Sequence, residues 1–143
     1  MEQCRHIELE QLTHGCQPLV EELFDALRDD KRAKIMRSSS VTVASSKLLH
    51  HLLPDLFPPI DRNFTASALD RFDDENKLPG NWDTFETFWH ILAFFRKVVC
   101  AKTSGAIRER WMNNDARYPM NTSIPKIVDN ALIAYSNALY PEG

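Results

Sequence analysis

Residues 81–102 read NWDTFETFWHILAFFRKVVCAK, and their apolar positions recur with a helical period. Phe85, Phe88, Trp89, Leu92, Phe95 and Val99 fall on one face at i, i+3, i+4, i+7 and onward. A second row, Ile91, Phe94 and Val98, fills the adjoining face and leaves Glu86, His90 and Lys97 as a thin polar stripe. A helix apolar around most of its circumference packs on several sides. Glu86, His90 and the pair Arg96-Lys97 make it too interrupted to span a membrane. Asp83 followed three residues later by Glu86 predicts a capping box at its start. Residues 83–102 are therefore expected to form the buried central helix of an all-α chain, a single compact domain of about five to seven helices.

The rest of the composition agrees with that class. A chain of 143 residues is one domain by length and buries a core without covalent staples. Its hydrophobic share of 43% and charged share of 26% are ordinary for a globular protein. A net charge of −3 excludes nucleic-acid binding by the surface as a whole and leaves only a local basic patch. Three cysteines, Cys4, Cys16 and Cys100, show no C-x-x-C spacing and suit a reduced environment. The N-terminus MEQCRHIELEQLTHG has no apolar signal region, so a cytoplasmic location is expected. No membrane partner is expected.

Working outward toward the N-terminus, residues 61–72 predict a helix with Asp61 as N-cap and Phe64, Ala68, Leu69 and Phe72 apolar. The tract DDENKLPG, residues 73–80, is expected as a charged loop. Residues 43–53 predict a short helix ending at Pro54. The turn that follows cannot be helical throughout, because each proline biases the residue before it toward extended geometry. Leu56, Phe57 and Ile60 of that turn are expected in the core. An earlier helix places Pro18 in its first turn, with Leu19, Val20, Leu23, Phe24 and Leu27 as its buried stripe. Residues 1–15 show weak helical periodicity through Ile7, Leu9 and Leu12. Toward the C-terminus, a helix through Ile107, Trp111 and Met112 follows Gly105. The last helix has Ser123 as cap, Pro125 in its first turn, and Ile127, Val128, Ala131, Leu132, Tyr135 and Leu139 as its apolar face. The thiol of Cys100, on the central helix, is expected to be buried as a small hydrophobe.

Chemistry-bearing residues are sparse. No phosphate loop, dinucleotide fingerprint or metalloprotease motif occurs, so neither cofactor nor metal is expected. His50 and His51 diverge by about 100° on a helix and do not chelate one ion. The basic run Lys31, Arg32, Lys34 and Arg37 complements a helix C-terminus, and it is also the candidate patch for nucleic acid. Trp82, Trp111, Tyr118 and Tyr140, interleaved with Arg108, Arg110 and Arg117, suit either a stacking surface or the lid of a helical core. The strongest candidate is SSKLLHHLLPDLFPPIDR, residues 45–62. A fold-back there brings Lys47 toward Asp61, with His50 and Arg62 alongside as binding candidates. A desolvated lysine serves as a nucleophile, with the carboxylate taking or stabilising charge, and such a pair is also the commonest structural ion pair. Taken on residues alone, a binding or interaction role without catalytic apparatus is expected. The partner is left open, and a homodimer is one candidate.

The segment SKLLHHLLPDLFPPIDR resembles part of a group of poorly characterised bacterial proteins in which a Lys-x-Leu-His helix precedes Pro, Phe-Pro and Asp. SIPKIVDNALIAY is similar to their C-terminal helix. More distantly, the first segment resembles the helix-hairpin-helix DNA glycosylases. That resemblance implies a nucleic-acid enzyme with Lys47 at the active-site lysine position and Asp61 at the aspartate position. It covers some 30 to 40 residues. The glycosylase hairpin carries glycines that let backbone amides reach a phosphate, whereas residues 38–46 hold none.

Overall fold

The computed structural model describes residues 8–28, 40–72, 81–101, 105, 109 and 122–139. Among them the protein is all-α, with no strand. Two 3₁₀ turns, Leu9–Gln11 and His14–Cys16, lead into α1 (Gln17–Arg28). Then come α2 (Val41–Leu52), α3 (Arg62–Phe72), α4 (Phe85–Cys100) and α5 (Ile124–Leu139). Gly105 and Glu109, in the stretch expected to be helical after α4, are helical and exposed. The loop expected at 73–80 lies outside the described residues, as do the basic run at 31–37 and the Trp111, Tyr118 and Tyr140 region. No helix among the described residues is long and apolar enough to cross a membrane.

Helix α4 is the hub. Phe88, Ile91, Leu92 and Phe95 are fully buried, and Phe85, Phe94 and Val99 nearly so. It touches α1, α2, α3 and α5 as well as the first 3₁₀ turn. Phe88 stacks on Phe57 from the proline-rich turn and sits against Phe24 of α1, with ring centroids 6.1 and 5.0 Å apart. Burial of this many large side chains is the main stabilising term, at roughly 1.5–3 kcal/mol each. The guanidinium of Arg96 donates to the Glu10 carbonyl at 3.2 Å and ties the far end of α4 to the N-terminal turn. Along the polar stripe Glu86 and Lys97 are exposed and His90 is half-buried.

The start of α4 differs from the expected capping box. Thr84 is the N-cap, and its hydroxyl accepts from the Thr87 N–H at 3.2 Å. Asp83 is used elsewhere. Its Oδ1 accepts from the Ser40 hydroxyl at 2.8 Å and from the Thr42 N–H at 3.1 Å, so it caps α2 from across the chain. Thr42 in turn donates to the Trp82 carbonyl at 2.8 Å. One dipeptide, Trp82-Asp83, thus fixes the head of α2 against the head of α4.

Four apolar expectations are corrected by exposure. Leu19 is 47% exposed, Leu52 52% and Tyr135 38%, and Ala131 also faces outward. Cys100 is an exposed free thiol at the end of α4. Within residues 8–16 the N-terminal periodicity resolves into two 3₁₀ turns, the first of which buries Leu9 and, at its C-cap, Leu12.

Candidate functional site

Helix α2 positions the candidate residues through two side chains one turn apart. Ser46 is fully buried; its hydroxyl donates to the Val43 carbonyl at 2.8 Å and accepts the Ile60 N–H at 3.0 Å. His50 Nδ1 lies 2.7 Å from the Phe57 carbonyl. A carbonyl only accepts, so the proton sits on Nδ1, and Nε2 carries the lone pair of the neutral ring. Between these anchors Pro58 and Pro59 have no N–H to satisfy, while Leu56 and Phe57 donate to the Leu53 carbonyl. Every backbone donor of the turn from Leu56 to Ile60 is therefore engaged, as burial of Leu56, Phe57 and Ile60 demands.

Lys47 and Asp61 are not brought together. Lys47 is exposed on α2. Asp61 Oδ1 accepts from the N–H groups of Asn63 and Phe64, at 3.0 and 3.4 Å, and caps α3 as its position predicts. Neither a hydrogen bond nor an ion pair joins the two; Lys126 and Asp129, by contrast, do form an ion pair. Arg62 is exposed, with its guanidinium 5.7 Å from the centre of the Trp82 ring. Trp82 Nε1 is sealed from solvent without a hydrogen-bond partner. His50 and His51 rings are 6.2 Å apart. No group of three or more metal-ligating side chains occurs among the described residues.

What the structure does gather is an ionisable cluster built by three elements. His50 of α2 is 8% exposed and Asp129 of α5 2%. Lys126 of α5 bonds Asp129 Oδ2 at 2.7 Å. Asp61, at the head of α3, lies within electrostatic reach of Asp129, and so does His50. Burial pushes the His50 imidazole below its ordinary range, against the hydrogen bond to Phe57, with His51 and Lys126 adding to the depression. Burial pushes the Asp129 carboxyl up, against the hydrogen bond and charge of Lys126. Burial thus disfavours the charged form of both groups, the imidazolium of His50 and the carboxylate of Asp129 alike.

Asp129 and Lys126 escaped the sequence reading, yet a signal was there. Pro125, Val128, Asp129, Leu132 and Ser136 are the buried side of α5. Position 129 falls at i+4 of that face, where a carboxylate is out of place without a partner. Lys126, three residues earlier, is the partner.

No protein-family model, curated protein or solved structure matches the chain.

Proposed function

We propose that this chain is a small helical binding or interaction protein, working through its surface and without a lysine–carboxylate catalytic pair. The observation that carries the reading is the separate use of Lys47 and Asp61. The lysine is exposed, and the carboxylate is engaged by two backbone N–H groups. A lysine nucleophile is activated by burial in an apolar pocket or by a neighbouring cation, and an exposed side chain lacks the first. The outer side of α5 supports an interaction role: Ala131, Ala134, Tyr135 and Ala138 are all exposed, at i, i+3, i+4 and i+7. The three alanines are small enough to let a partner helix approach closely, and Tyr135 offers it an apolar ring.

The helix-hairpin-helix resemblance supplies the rival reading, a reduced DNA glycosylase acting through Lys47. Borohydride trapping on abasic-site DNA separates the two. No covalent adduct is expected, from the native chain or from Lys47→Ala. An adduct that forms with the native chain and disappears in Lys47→Ala overturns the binding reading.

A further inference from the structure

We propose that α5 is an exchangeable helix: it leaves its seat on α3 and α4 as a unit, and the partner that then fills the seat is α5 of a second copy of this chain. The proposal deepens the binding reading above, on which it rests, by naming the partner.

The seat is lightly apolar. Along α5 and at Ser123 just before it, the buried side chains are Ser123, Pro125, Val128, Asp129, Leu132 and Ser136, half of them polar. Val128 and Leu132 are its members of the hydrophobic core, whereas α4 gives Phe88, Ile91, Leu92 and Phe95 at full burial. Asp129 weakens the seat further, because a carboxylate 2% exposed has given up its hydration. Its cation, Lys126, lies three residues earlier on the same helix at 2.7 Å. The Ser123 hydroxyl accepts from the Lys126 N–H at 3.3 Å. These bonds leave with α5, and undocking returns the carboxylate to water with its partner still beside it.

The neighbouring helices are held differently. Asp83 and Trp82 tie α2 to the head of α4, and Ser46 and His50 tie it to the proline-rich turn. Arg96 ties α4 to the N-terminal turn. Opening either helix breaks hydrogen bonds between elements. The packing of α5 is chiefly on α3 and α4, so its release leaves Phe24, Phe57 and Phe88 stacked as they are. Elements with few buried apolar contacts are those that open on their own.

An emptied seat is a groove whose complement is already known, since α5 fits it. A second copy carries the same helix, so reciprocal exchange rebuilds both interfaces without any new surface. The chain's own α5 competes at an effective concentration of about 1 mM. The exchanged dimer therefore gains only as the chain approaches that concentration.

Native-state amide exchange and a peptide in trans test the proposal. In the native chain the α5 amides should open together, with an opening constant at least about a hundredfold above that of α4. Opening of α5 only in step with α4 overturns the proposal. The probe for the groove is a synthetic peptide of residues 122–139, offered to a full chain carrying Val128→Asp and Leu132→Asp. Binding is expected with a Kd of about 10–100 µM, weak because a free helix of this length must be ordered on binding. The native chain, its groove filled, should bind the peptide at least about tenfold more weakly. No binding to the substituted chain, or equal binding to both, overturns the proposal. Should the substituted chain lose protection in α4, the native chain decides. Refolded from urea at about 1 mM it should give a dimer by light scattering, and at about 10 µM a monomer. A monomer at both concentrations removes the second copy as partner and leaves the binding reading to the trapping assay.

Discussion

Asp83 lies at the start of the central helix in sequence and at the start of a different helix in space. Its Oδ1 receives the Ser40 hydroxyl and the Thr42 N–H, satisfying one of the orphan donors of α2. The letters Asp83-x-x-Glu86 fit a capping box equally well, because a one-dimensional pattern shows which residues can cap and not which helix end lies nearest. Thr84 has the same competence and takes the local task. Asp83→Ala should therefore lose about 1–2 kcal/mol in urea unfolding, the range for a lost cap. Glu86→Ala, at an exposed position, should change stability by less than about 0.5 kcal/mol. Equal effects would return the capping role to the Asp83–Glu86 pair. Asp61 is the contrasting case: its local reading as a cap of the following helix is what the structure shows.

At the scale of elements, periodicity located the buried face of α4 almost residue for residue, because neighbours pack it on several sides, with Cys100 at its end the exposed exception. The flanking helices were less legible. Leu19, Leu52 and Tyr135 share the apolar periods of α1, α2 and α5 yet are exposed. A period gives the direction of a face, whereas its width depends on how much of it the neighbouring elements cover. The same limit hid Asp129, a polar letter on a buried face whose partner lies three residues back. Phe88 tests the hub role of α4. It is fully buried between Phe24 and Phe57, and Phe88→Ala should lose about 3–5 kcal/mol in chemical denaturation. Leu52→Ala, by comparison, should lose less than about 0.5 kcal/mol. Comparable losses would contradict the packing described.

Across the whole molecule, the all-α class was readable because strong helical periods and well-placed prolines agree at every level of the chain. The candidate site was readable only in part. The segment from Ser45 to Arg62 does fold back on itself, but the side chains that close it are Ser46 and His50, not Lys47 and Asp61. Neighbouring positions on a helix point about 100° apart, so bonding Ser46 to the turn directs Lys47 away from it. Chain proximity alone does not reveal that choice, which depends on the buried N–H of Ile60 needing an acceptor. A double-mutant cycle on Lys47→Ala and Asp61→Ala tests this most directly. With the lysine exposed and the aspartate spent on the α3 cap, Lys47→Ala should change stability by less than about 0.5 kcal/mol and Asp61→Ala should lose about 1 kcal/mol. The two effects should then add to within about 0.5 kcal/mol. A coupling of about 1 kcal/mol or more would mean that the two side chains meet in the folded protein, and would contradict the account.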